Sequence, residues 1–203
     1  DKSLKFLAKA SLIVLVGIFL SKIFTYLFRI IVARYYGPEV YGLFSLALMV
    51  SGWFIAFASF GLLDGLLRFI PLYRGKNEED KIRCSIRLVS KILFISGAIS
   101  GLLLFLLSDF ISINIFHNPQ LIIYLKISSI LILISFLSLL YVYIIKTYEM
   151  VSAYSFIYNV LQNFVKLVFL LIFIILGVSG EASILSYLIG AFLVLAAAYT
   201  FCR

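Results

Sequence analysis

The chain has 203 residues, of which 64% are hydrophobic and only 13% charged, with 17 Lys and Arg against 9 Asp and Glu. Soluble domains carry about 45–50% apolar and about 25% charged residues, so this composition excludes an ordinary soluble enzyme and points to an integral membrane protein. The cationic surplus then marks cytoplasmic loops and not a nucleic-acid partner, because the basic residues cluster between apolar runs.

A spanning helix needs about 20 mostly apolar residues. The first candidate covers residues 10–34. A cleaved signal peptide competes for this segment, since Lys2, Lys5 and Lys9 flank it. However, the small-residue pattern Ala8-Lys9-Ala10 precedes the apolar run, and apolar character resumes after Lys22 and continues to Ala33. That length fits a span. The chain begins at Asp1 without a methionine, which leads the sequence reading to expect a start upstream. Within "GIFLSKIFTYLFRIIVARYYG", residues 17–37, Lys22 and Arg29 lie seven residues apart and therefore on one helical face. A cation near the bilayer centre costs between about 3 and more than 10 kcal/mol, depending on how far it snorkels. Lys22 is placed near mid-membrane and Arg29 in the outer half.

The second candidate covers 40–68 and closes on "GLLDGLLRF", where Asp64 and Arg68 have the i,i+4 spacing of a structural ion pair. A basic connection follows, with Arg68, Arg74, Lys76, Lys81, Arg83, Arg87 and Lys91. The remaining candidates are 86–107, 121–145, 152–177 and 182–201. Lys126 sits near the outer end of the fourth and is expected to snorkel outward. Pro38, Pro71 and Pro119 all fall in predicted connections, where a missing N–H does no harm, so the helices are expected to run unbroken. Gly61/Gly65 and Gly97/Gly101 have the spacing that permits close helix packing.

In the fifth candidate, "YNVLQNFVKLVF", Asn159, Gln162, Asn163 and Lys166 stand at i, i+3, i+4 and i+7. This polar stripe must face the bundle or water, since lipid leaves amides and an ammonium unsatisfied. A water-filled cavity is the favoured reading and interhelical hydrogen-bonding the alternative.

The alternate connections are poor in cations, whereas the N-terminal tail, the 68–91 segment, Lys146 and Arg203 are basic. This pattern places both termini in the cytoplasm. Tyr35, Tyr36 and Tyr41 then form an outer aromatic belt, and Tyr141, Tyr143 and Tyr148 an inner one. Lys22, Arg29, Lys126 and Lys166 have no central carboxylate to neutralise them, and an interior of unpaired positive charge suits an anion such as phosphate. Cys84 and Cys202 give no disulfide framework, and His117 is expected to be polar loop filler. No nucleophile–base pair, zinc spacing or Gly-rich phosphate loop is present, so neither enzyme, cofactor nor metal is expected.

The stretch "RIIVARYYGPEVYGLFSLALMVSGWFIAFASFGLLDGLLRFIPLYRGKNEEDKIR" resembles the N-terminal half of the polysaccharide biosynthesis proteins, the lipid-linked oligosaccharide flippases. Their superfamily also holds the multidrug and toxin extrusion carriers and the peptidoglycan-precursor flippases. The resemblance rests on Arg34 with "YGPEVYGLFSLAL", on "GLLDGLLRFIP" and "YRGKNEEDKIR", and more weakly on "IFHNPQL" and Asn159 to Lys166. It implies that residues 1–203 form one six-helix lobe of a two-lobed transporter, the partner being a second lobe or another copy. It also implies a polyprenyl-pyrophosphate-linked sugar substrate, such as an O-antigen precursor, crossing the cytoplasmic membrane by alternating access. Basic residues on the first and fifth helices, matching Lys22, Arg29 and Lys166, would then meet the pyrophosphate, with other polysaccharide assembly proteins as further partners. Members of the family carry roughly twice as many helices as this chain. Two rival functions stand beside this one. A cation or drug exporter of the same superfamily would need buried carboxylates, and a non-transporting scaffold of a polysaccharide assembly complex would move nothing.

Overall fold

A computed structural model of the chain describes residues 2–148 and 150–202, with the side chains of residues 2–10, Val151 and Cys202 not described. The cations of the N-terminal tail (Lys2, Lys5 and Lys9), the closing Arg203 and the Cys202 thiol thus lie outside the described residues. The described chain is helical, without strands, and six helical stretches are long and apolar enough to cross a membrane. This is a polytopic all-α membrane protein.

Helix α1, Lys2–Ile31, runs on through one π-helical stretch, Val32–Tyr36, and stops at Gly37 with φ 92°. Pro38 then opens α2, Pro38–Ala58, at a first-turn position where its missing N–H leaves nothing unpaired. A short turn leads to α3, Leu62–Gly75. Helix α4, Glu79–Phe110, ends in a second π stretch, Ile111–Ile115, and α5 follows over Leu121–Thr147. The fifth crossing begins with α6, Val151–Tyr154, passes through a third π stretch, Ser155–Leu161, and continues as α7, Gln162–Ile175; α8, Ala182–Cys202, completes the bundle.

Helix α5 lies at the centre, packed against α8, α4, α2 and α3. Of its most apolar window 44% is buried, against 11% for α1, which leaves α1 at the open side of the bundle. Two devices bring helices onto α5. Gly101 of α4 faces the Ser129 carbonyl so closely that a β-carbon there would lie 2.8 Å from it. Ser138 of α5 donates across to the Ala191 carbonyl of α8 at 2.9 Å, satisfying a hydroxyl that lipid could not. Phe136, Leu125 and Ile132 fill the space between.

Five sequence expectations change. The second crossing does not run unbroken to Arg68: it breaks at Phe60 and Gly61, both with positive φ (47° and 66°), and resumes as α3. Gly61 therefore serves the break and meets no neighbouring helix, whereas Gly97 and Gly101 pack on α5 as their spacing suggests. Pro71 lies inside α3 and not in a connection, on an exposed position of the helix. Asp64 and Arg68 form no ion pair; both are exposed. The break places Asp64 in the first turn of α3, where the helix dipole already favours a carboxylate. Finally, Lys126 does not simply snorkel: its Nζ lies 3.2 Å from Asp109 Oδ1 and 5.7 Å from the centre of the Phe105 ring, both on α4.

Candidate functional site

The open side of α1 carries the charges. Lys22 and Arg29 are both exposed and, with Phe19, Ile23, Thr25 and Tyr26, line an open groove of about 470 Å³. Neither forms an ion pair among the described residues. Every lining residue comes from α1, so the groove has a single wall. The face is cationic because the i,i+7 spacing of the two charges superimposes them one above the other.

The adjoining face of α1 is fastened to α7. Asn163 Nδ2 donates to Ser21 Oγ at 2.9 Å and to the Asn159 carbonyl at 2.9 Å, and Thr25 Oγ1 donates to the Ser21 carbonyl at 2.8 Å. Thr25 also approaches Asn163 Oδ1 at 3.4 Å. Ser21 and Thr25 flank Lys22 in sequence, so these bonds fix the rotation of α1 about its axis and with it the direction of the cationic face.

The polar stripe of the fifth crossing is divided. The Ser155–Leu161 stretch winds with i→i+5 bonds, wider than an α-helix, which takes Asn159 out of the regular spacing, while Gln162, Asn163 and Lys166 all stand on α7, Asn163 about 100° of turn from Gln162. Asn159 Nδ2 turns back toward Ser155 Oγ at 3.4 Å. Asn163 is hydrogen-bonding between helices, the alternative reading of the stripe. Gln162 lines a separate concavity of about 170 Å³ with Tyr158, Ser135, Ser138 and Val194.

Lys166 does not line the groove of Lys22 and Arg29. Its side chain is 8% exposed, and its Nζ sits 3.9 Å from the centre of the Tyr187 ring on α8. The ring is itself fixed edge-on by Phe28 of α1 and Phe44 of α2, at 5.3 and 5.2 Å between centroids. Gly190, one turn along α8, makes the arrangement possible, since a β-carbon there would lie 2.7 Å from Lys166 Cγ. A π face held this way attracts the ammonium by about 2 kcal/mol when desolvated.

A family model for polysaccharide biosynthesis proteins matches residues 7–203. The chain belongs to the polysaccharide biosynthesis protein family. No curated protein and no solved structure matches it. In this polysaccharide biosynthesis protein, then, the predicted site residues fall in three places: Lys22 and Arg29 on the groove, Asn159 and Asn163 at the α1–α7 seam, Gln162 and Lys166 toward α8. Among the described residues no cluster of three His, Cys, Asp or Glu could hold a metal ion. Tyr187, Gly190, Ser21 and Thr25 are the participants that sequence reasoning missed. Ser21 and Thr25 had a legible signal, an i,i+4 polar pair beside an intramembrane lysine. Tyr187 had none, since a tyrosine near a helix end reads as belt.

Proposed function

We infer that this chain is a six-helix lobe of a flippase that moves an anionic, polyprenyl-diphosphate-linked sugar across the cytoplasmic membrane for surface polysaccharide synthesis. The single observation that carries the reading is the pair of cations, Lys22 and Arg29, exposed on one wall of a largely apolar helix with no carboxylate paired to them among the described residues. Charges so placed in a membrane require water or an anion opposite them. The groove has one wall, which fits a second lobe, or a second copy, closing over the substrate. The diphosphate would meet Lys22 and Arg29 as the head crosses, Arg29 offering a planar two-pronged donor set and Lys22 a point charge, while the polyprenyl tail stays in lipid. Both termini lie on the cytoplasmic side in this reading, and the other membrane components of polysaccharide assembly are its partners.

The test is translocation by the complete protein in proteoliposomes. Movement of a polyprenyl-diphosphate sugar supports the reading; movement of a cationic dye instead would make the protein a drug exporter, and no movement at all would make it a scaffold. The orientation has its own check. Cysteines introduced at Asn77 and Asn118 are expected to react with an impermeant maleimide from opposite sides, Asn77 from the cytoplasm, and reaction of both from one side would break the six-span order.

A further inference from the structure

The break at Phe60 and Gly61 has a second effect, away from the groove of α1. It sets α3 alongside the start of α4, and the two enclose an apolar cleft of about 320 Å³ lined by Phe60, Leu62, Phe69, Tyr73, Cys84 and Leu88. Phe60 is 75% exposed and Leu88 54%, so the cleft opens outward. Its surroundings are cationic. Arg68 precedes Phe69 on α3, and Arg87 and Lys91 bracket Leu88 on α4; all three are exposed and none forms an ion pair among the described residues. At the far end Lys81 sits 5.9 Å from the centre of the Tyr73 ring, held there by Glu78 at 2.9 Å. Of the acids of the hairpin, Glu78, Glu79 and Asp80 sit at its tip, and Asp64 stands exposed in the first turn of α3.

We propose that this α3–α4 cleft is a binding site for an anionic phospholipid of the leaflet that the hairpin faces, with one acyl chain in the cleft and the headgroup phosphate among Arg68, Arg87 and Lys91. Charge complementarity chooses the occupant. An apolar slot alone takes any chain, but three cations at its sides against the single Asp64 favour a lipid of net negative charge. A zwitterionic lipid gains no such net term. The apolar lining in turn separates the site from simple attraction of the headgroup: the chain buries against Phe69 and Leu88 while the basic side chains reach past it to the phosphate. The site is independent of the groove on α1 and of what the protein transports.

Cys84, exposed in the lining, reports on it directly. In the full chain carrying Cys202→Ser, maleimide reaction of Cys84 in phosphatidylcholine vesicles should slow several-fold as phosphatidylglycerol is added at constant total lipid. Soluble glycerol phosphate, which has the anion without the chain, should give no protection. Arg68→Gln, Arg87→Gln and Lys91→Gln together should remove the effect of phosphatidylglycerol. Leu88→Trp, which fills the cleft and keeps every charge, should abolish it as well, and mass spectrometry of the detergent-extracted protein should show the retained lipid lost in both variants. Equal protection by phosphatidylcholine alone, protection by glycerol phosphate, or phosphatidylglycerol retained by the Leu88→Trp variant would each overturn the assignment.

Discussion

Replacing Lys166 by methionine should make the protein more stable and the transporter worse. The ammonium is buried on α7, and its recorded partner is the face of Tyr187. That contact supplies about 2 kcal/mol, whereas removing an ammonium from water costs several kcal/mol even after the protein relaxes. The balance is unfavourable, and methionine has a similar length with no charge to desolvate. Exchanges of buried charge for well-packed apolar residues commonly gain about 1–4 kcal/mol, so the thermal unfolding midpoint in detergent should rise. Tyr187→Leu should lower it, because the charge stays and its π partner goes. A residue kept at a cost to stability is expected to serve function. Lys166→Met should therefore reduce surface polysaccharide when the complete protein complements a flippase-deficient strain. A less stable Lys166→Met protein with full activity would make Lys166 a packing residue.

The largest loss is expected from the three cations together. The complete protein carrying Lys22→Gln, Arg29→Gln and Lys166→Gln should insert at normal levels, judged by blot of the membrane fraction, and yet leave a flippase-deficient strain without surface polysaccharide. Glutamine keeps length and polarity and removes only charge. In a site of low dielectric Lys22 and Arg29 near one diphosphate attract it far more strongly than in water; Lys166, buried against Tyr187, acts from outside the groove. Arg29→Lys should restore part of the activity, since the charge returns without the two-pronged geometry. Asp64→Asn is the contrast: Asp64 is exposed at the start of α3, away from the groove and in no ion pair, and its loss should do little. Normal polysaccharide from the triple variant would mean that the cations of α1 and α7 pack or snorkel and do nothing more.

What could be read from the sequence follows from which signals are local. Six crossings were legible because hydropathy over about 20 residues is a property of one segment. So were Lys22 and Arg29, since charges within an apolar run stand out whatever surrounds them. The break at Gly61 was not legible: a glycine in left-handed backbone looks, in sequence, like a glycine in a helix contact, and Gly65 four residues on invited the second reading. The division of the Asn159–Lys166 stripe was hidden because Asn159 leaves regular winding in the Ser155–Leu161 π stretch, and because the partners of Asn163 and Lys166 lie on other helices. Lys126 was misread because its partner Asp109 lies on another helix, inside a stretch taken to be a connection. Tyr187 and Gly190 form part of the site only because α7 and α8 pack together, a fact that no single-segment signal carries.

Selection of an anionic lipid-linked sugar by the cationic wall is tested by varying the anion alone. The complete protein in proteoliposomes would be given two substrates with the same sugar and the same polyprenyl tail, one joined through a diphosphate and one through an uncharged ether. Only the diphosphate-linked sugar should reach the opposite leaflet, and Lys22→Gln with Arg29→Gln should abolish this movement. Equal movement of the uncharged analogue, or unchanged movement of the diphosphate by the double variant, would contradict it.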